Sequence, residues 1–274
     1  RKVLNSIEMK GRVVIGEGEI DKAPMLYIGE ILGNNDGPDI DIAVDPLEGT
    51  NFAANNLPGA LSVIAVSYKN NLLNAPETYM NKIAYGPNME KGVIDLDYNF
   101  SKNIKNLAEF KNKKLEDITI CILDRPRHKD IIEEAKKLKL KTKLISDGDV
   151  SGALLVTDKK YEVDLFLGIG GGPEGVLAAC ALDAYNCGFQ GRFIFDDDIA
   201  TKRAKDMGIV DLKKKYELKD IVKGDSIFCA TGITNGELVN GLEVSGDYFM
   251  TDTFVTHKSR NIKKNIQEKV QKIT

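Results

Sequence analysis

Short apolar runs alternate with polar, helix-periodic stretches along this chain. Strands are expected at 12–15, 40–44, 61–68, 118–123, 141–145, 163–167, 226–230 and 248–256, where β-branched and aliphatic residues cluster between turn residues. Helices are expected at 23–32, 104–109, 129–138, 174–185, 198–207 and 262–272, and the opening RKVLNSIEMKG reads as the tail of an amphipathic helix stopped by Gly11. The alternation predicts an α/β fold. The lysine-rich stretch 101–116 marks a junction between an N-terminal acidic lobe, 1–112, and a second lobe, 113–274. No internal repeat and no low-complexity segment is present.

Composition narrows the function classes. At 274 residues the chain can bury a substantial core, and 42% hydrophobic content is incompatible with a mainly disordered chain. A formal net charge of −3 argues against a nucleic-acid-binding surface. No apolar run approaches the roughly 18 residues needed to span a bilayer and no secretory segment opens the chain, so a cytoplasmic protein without a membrane partner is expected. Cys121, Cys180, Cys187 and Cys229 have no zinc-type spacing and read as reduced core residues. Arg1 opens the chain in place of a Met, so further residues upstream are expected.

The strongest chemical signal is DIAVDPLEGT, residues 41–50. Ile42, Ala43 and Val44 form a buried strand, Pro46 cannot extend its ladder, and Gly49 permits a tight path, so Asp45, Glu48 and Thr50 meet at a strand exit. Oxygen ligands this close suit a hard divalent cation, Mn2+ or Mg2+, although a plain Asp-Pro turn with a cap would also explain them. VVIGEGEID repeats the pattern with Glu17, Glu19 and Asp21. If the two strand ends meet, their carboxylates need a counter-ion.

Other turns carry groups suited to a ligand, each with a plainer reading beside it. Arg125, Arg127, His128 and Lys129 open the helix after TICILD, where cations oppose the helix dipole unless an anion is bound; a solvated basic turn is the alternative. Asp147 and Asp149 flank Gly148 at another strand exit, suited to sugar hydroxyls or to an Asx turn. Gly170, Gly172 and Gly175 match G-x-G-x-x-G with Asp196–Asp198 downstream, a dinucleotide fingerprint, yet Pro173 and Glu174 stand where a pyrophosphate would approach. Glu174 at a helix start reads instead as a cap-type residue stabilised by the dipole or as a metal ligand on a rigid element. His257 has no evident catalytic partner, and no Ser/His/Asp order stands out.

Taken in order, IGEGEID, DIAVDPLEGT, NAPETYM, LDRPRHKD, DGDVSGAL, GIGGGPEGV and ATGIT closely resemble the class II (GlpX-type) fructose-1,6-bisphosphatases, including bifunctional forms acting on sedoheptulose 1,7-bisphosphate. The resemblance covers nearly the whole chain. It implies the α-β-α-β-α layered sandwich of the lithium-sensitive sugar phosphatases and hydrolysis of the 1-phosphate of fructose 1,6-bisphosphate in gluconeogenesis. It implies Glu17, Asp45, Glu48, Glu174 and the Leu47 carbonyl as metal ligands, and Thr50 with Glu17 as catalytic groups. Glu48, Gly49, Thr50, Tyr79, Arg125, Arg127, Asp147, Asp149 and Gly171 correspond to substrate contacts, and a homo-oligomer is expected. The family's N-terminal helix and metal-binding GDKNTAD-type loop would precede Arg1, and the 195–205 region is shorter than its counterpart, so the chain as written is expected to be impaired. Another sugar or inositol phosphatase of this fold, a dinucleotide-binding oxidoreductase and a silent sugar-phosphate sensor remain as alternatives.

Overall fold

The computed structural model describes residues 1–17 and 24–272. The chain runs β1 (Lys10–Ile15), β2 (Ile31–Leu32), β3 (Asp39–Glu48), α1 (Thr50–Ala54), β4 (Leu61–Tyr68), β5 (Tyr79–Tyr85), α2 (Phe100–Lys111), β6 (Thr119–Leu123), α3 (Lys129–Lys137), β7 (Lys141–Ile145) and α4 (Asp149–Leu154). It continues through β8 (Leu165–Gly171), α5 (Gly172–Ala184), β9 (Gly188–Phe193), α6 (Asp198–Asp206), β10 (Tyr216–Glu217), α7 (Leu218–Ile221), β11 (Ser226–Gly232), β12 (Glu243–Ser245), β13 (Tyr248–His257) and β14 (Ile262–Gln271).

The strands form two mixed sheets. The larger runs β2-β1-β3-β4-β11-β13, with β14 along one edge of β13 and β12 beside its start; the smaller runs β10-β9-β5-β8-β6-β7. The two chain ends build the larger sheet and the middle builds the smaller, so residues from both sides of position 112 enter each sheet.

Between the sheets lies α5, touching β3, β4, β11 and β13 on one side and β5, β8 and β9 on the other. Its sequence explains the position. Val176 to Ala184 has no exposed face, and a helix apolar all round is stable only when covered all round. The small residues Ala178, Ala179, Cys180 and Ala181 let both sheets approach it closely. On the far side of the smaller sheet, Ile104 and Leu107 of α2 and Ala135 of α3 pack over Ile83, Ile120 and Leu165. On the far side of the larger, Met9, Leu26 and Leu32 pack with Val13, Ile42 and Val44. The expected layered α/β arrangement is present.

Several expected elements differ. The segment 262–272 is strand β14, paired residue for residue with β13. Ile262, Ile266 and Val270 recur every fourth residue, a spacing that suits one helix face and one strand face equally, and the ladder to β13 decides. No helix forms over 24–32, where turns lead into β2; Ala23 lies outside the described residues. At the N-terminus the helical content is the single 3-10 turn Leu4–Ser6, and Gly11 sits inside β1, where a Cβ would come within 2.6 Å of Ile42 Cδ1. The lysine-rich 101–116 stretch folds as α2 and a following turn, with lysines outward and Ile104 and Leu107 buried. β5 was not expected, because Asn81 and Lys82 interrupt its apolar run. Cys121, Cys180 and Cys187 are buried free thiols, each pushed up to about 12 chiefly by burial, as core residues should be.

Candidate active site

Regular alternation along β3 buries Ala43 toward α5 and Ile42 and Val44 on the opposite face. On that pattern Glu48 would point away from Asp45. The ladder to β4 slips between them, Asp45 pairing with Val63 and Glu48 with Leu61, and this bulge over Pro46 brings both carboxylates to one side. Asp45 Oδ1 accepts the Leu47 N–H at 2.9 Å, and Glu48 Oε1 accepts the Val150 N–H at 2.7 Å. Gly49, at φ 79°, then turns the chain into α1, so that Thr50 follows directly beside the carboxylates.

Glu174 arrives from the opposite direction, in the first turn of α5 after Pro173, where the helix dipole favours a carboxylate. The preceding glycines make room for it. A Cβ at Gly171 would lie 1.8 Å from the Glu174 carboxylate, and one at Gly170 would lie 1.7 Å from that of Asp149. The glycine run therefore seats two carboxylates against the backbone where the dinucleotide reading requires a pyrophosphate.

One ligand atom each from Asp45, Glu48 and Glu174 lie within 4.8 Å of one another. Burial, then the charges of Glu174 and Asp45, hold Glu48 well above the usual carboxylate range. Burial pushes Asp45 up to about 6 against the pull of the Leu47 N–H, with Glu17 adding to the rise. Burial likewise pushes Glu174 up to about 7 against the pull of Lys82, and its Oε2 is buried without a hydrogen-bond partner among the described residues. Carboxylates that resist ionising together, with an orphaned oxygen among them, fit a hard divalent cation.

The three floor a cleft of about 1180 Å3 whose lining also includes Glu17, Leu47, Gly49, Thr50, Tyr79, Asp147 and Gly171. Glu17 is held there by its N–H donating to Leu26 O at 2.8 Å, and its pKa is raised by burial and then by Glu77. Glu19 and Asp21 lie outside the described residues. Asp147 Oδ2 accepts the Asn51 N–H at 3.0 Å, while its Oδ1 stands 3.6 Å from Arg125 Nη2. Arg127 lies with its guanidinium carbon 4.9 Å from the centre of the Tyr79 ring. Lys129 extends from the start of α3 toward Glu133 at 4.0 Å.

Asp149 is placed differently from Asp147. It is buried outside the cleft lining and paired with Lys82, whose ammonium also donates to Gly171 O at 2.7 Å. Sequence reading missed Lys82, although a lone cation among Met80, Ile83 and Ala84 signals a buried charge that needs a partner. Glu77, Thr78 and Arg203 of the cleft wall were missed as well, for want of a recognisable spacing. His257 does have partners: its Nε2 meets Asp225 Oδ2 at 2.7 Å and Ser259 Oγ at 3.1 Å. Both use the same ring nitrogen, so no Ser/His/Asp relay results.

Among the described residues no helix is long and apolar enough to cross a membrane. Residues 1–270 match the family model described as bacterial fructose-1,6-bisphosphatase, glpX-encoded. A D-fructose 1,6-bisphosphatase class 2/sedoheptulose 1,7-bisphosphatase of Prochlorococcus marinus strain AS9601 is 41% identical over 266 residues, covering 92% of this chain and 80% of the relative. A protein of the same description from Synechococcus sp. strain JA-2-3B'a(2-13) is 40% identical over 289 residues, covering 96% and 83%. With its acidic cluster at the bulged end of β3 and these matches along almost its full length, the chain belongs to the glpX-encoded family of bacterial fructose-1,6-bisphosphatases.

Proposed function

We propose that this protein hydrolyses the 1-phosphate of fructose 1,6-bisphosphate, releasing fructose 6-phosphate and inorganic phosphate, with Mn2+ or Mg2+ as cofactor. The observation that carries this reading is the Asp45, Glu48 and Glu174 cluster in a cleft whose lining residues Asp147 and Tyr79 have Arg125 and Arg127 as neighbours. Asp45, Glu48 and Glu174 hold the cation, with Glu17 and the Leu47 carbonyl as further donors. When bound, the cation neutralises phosphoryl oxygens and lowers the pKa of water.

The remaining work falls to the chain. Thr50 orients the attacking water, and Glu48 and the Gly49 backbone face the reacting phosphate. The water oxygen gives up a proton by way of Thr50 to solvent and bonds to phosphorus as the bond to the sugar O1 breaks in line, and O1 leaves with a proton from solvent or a cleft acid. Asp147 and the Gly171 backbone orient the sugar, with Asp149 supporting that side through Lys82. Tyr79, Arg125 and Arg127 hold the distal phosphate, which a monophosphate substrate does not need. The metal donors thus come mainly from the 1–112 part and the sugar-phosphate contacts mainly from 113–274, with Glu174 and Tyr79 crossing over. A cytoplasmic homo-oligomer with no nucleic-acid partner completes the reading.

Phosphate release from fructose 1,6-bisphosphate and from fructose 6-phosphate, with Mn2+, with Mg2+ and with chelator, tests the assignment. Release from the bisphosphate alone, abolished by chelator, is expected; chelator-insensitive release or equal use of both sugars overturns it. The relatives, which are class 2 fructose 1,6-bisphosphatases/sedoheptulose 1,7-bisphosphatases, also favour sedoheptulose 1,7-bisphosphate as a second substrate, tested in the same assay. Thr50→Ala is expected to lower turnover about 100-fold with KM kept, because positioning of the nucleophile acts in the transition state. Unchanged turnover removes Thr50 from the mechanism.

A further inference from the structure

Strand β8 loses one neighbour partway along. β5 accompanies it from Leu165 to Gly171, whereas β6 pairs only with Leu165 and Phe166. Beyond that point no strand of the described residues pairs with this edge of β8, and at Ile169 two side chains take its place. The Ile169 N–H donates to His128 Nε2 at 2.8 Å, and the Ile169 carbonyl accepts from Arg127 Nε at 2.9 Å. His128 Nδ1 meets the carbonyl of Leu123, the last residue of β6, at 2.7 Å. The ring therefore bridges the end of β6 to the unpaired part of β8.

These partners define its chemistry. Nε2 must accept and Nδ1 must donate, which is the neutral Nδ1–H tautomer. Burial pulls the His128 pKa down and favours the same form, and the residue is fully buried. Unpaired backbone groups are costly when shielded from water, so the imidazole has a folding reason to be there. It also has a consequence for the site. The peptide groups of Ile169 are shared between His128 and Arg127, whose guanidinium carbon lies 4.9 Å from the centre of the Tyr79 ring.

We propose that His128 is a positioning residue for substrate recognition: it stands in for a strand at Ile169 and so holds Arg127 where it can grip the distal phosphate of a bisphosphate. This rests on the bisphosphatase reading. The test compares fructose 1,6-bisphosphate with p-nitrophenyl phosphate, which has no distal phosphate, both with Mn2+. His128→Asn keeps a donor near Leu123 O but lacks an acceptor at the Nε2 position; His128→Gln brings an amide oxygen back toward it. Asn is expected to raise KM for the bisphosphate about 30-fold with kcat little changed and p-nitrophenyl phosphate hydrolysis within threefold, and Gln to recover most of the loss.

Equal losses on both substrates, or no loss on the bisphosphate, overturn the proposal. A wild type with no preference for the bisphosphate removes the bisphosphatase reading and the proposal with it. A preference that the Asn variant retains removes the proposal alone. A measurement without variants uses the chain's 2 histidines, whose 15N signals are readily told apart. Fructose 6-phosphate, carrying the distal phosphate alone, should shift the His128 signals while they keep the Nδ1–H pattern; unmoved signals, or the other tautomer, count against it.

Discussion

Glu48→Gln is expected to lower metal-dependent phosphate release about 1000-fold and, in the metal-free protein at pH 8, to raise the melting temperature. The first effect follows from the removal of one charged donor from the centre of the cation site, a loss of about 4 kcal/mol of transition-state stabilisation. The second follows from the surroundings of Glu48. Its Oε1 accepts the Val150 N–H, a role the amide oxygen of Gln can keep at nearly the same volume. The charge it gives up is repelled by Glu174, Asp45 and Asp149 in a buried setting. A gain of about 1–2 kcal/mol corresponds to a few degrees for a chain of this size. Activity within tenfold of wild type would remove Glu48 from the cation site, and a lower metal-free melting temperature would show that burial and repulsion of its charge do not weigh on the folded protein.

The second large effect is a stability that falls as pH rises and returns with a divalent cation. Asp45 sits at about 6 and Glu174 at about 7, both above their ordinary values. Between the ordinary and the raised values the folded protein binds more protons than the unfolded chain, so unfolding becomes easier as pH rises through that window. Across pH 6 to 8 the two groups contribute a loss on the order of 2 kcal/mol, with Glu48 adding to it. His128 acts in the opposite sense. Its lowered pKa makes stability fall as pH drops below its unfolded value of about 6.5. Saturating Mn2+ leaves His128 untouched, so the increment in melting temperature produced by Mn2+ isolates the acidic cluster. That increment should grow from pH 6 to pH 8 by several degrees, and Glu48→Gln should flatten it. An increment independent of pH would mean that the cluster does not carry the cation.

The sequence pattern was informative where one local rule operates. The strands at 61–68 and 141–145 have the expected limits, because period-two alternation and flanking turn residues agree there. The carboxylates at the end of β3 were legible because Asp45 and Glu48 are close in sequence and Gly49 ends the strand, but Pro46, expected to end the ladder, lies in a bulge inside β3, which runs on to Glu48. The pattern failed where two rules fit one spacing, as in β14, or where function interrupts it. Lys82 breaks the apolar run of β5 because it serves as a buried counter-ion to Asp149, and the strand was hidden for that reason.

Residue type and order alone were enough for the α/β class, the acidic strand exits, the basic turn before α3 and the family. Chemistry of that kind is local, carried by side chains a few positions apart. Which carboxylates share a site was decided by the tertiary structure. Asp45 and Glu48 face one way only because the ladder to β4 slips between them, and Glu174 joins them only because α5 is driven between the two sheets by its apolar circumference. The meaning of the glycine run was settled in the same way, since the space above Gly170 and Gly171 is filled by Asp149 and Glu174, which come from different helices. Packing brings such groups together across long stretches of chain, and no spacing along the chain records it.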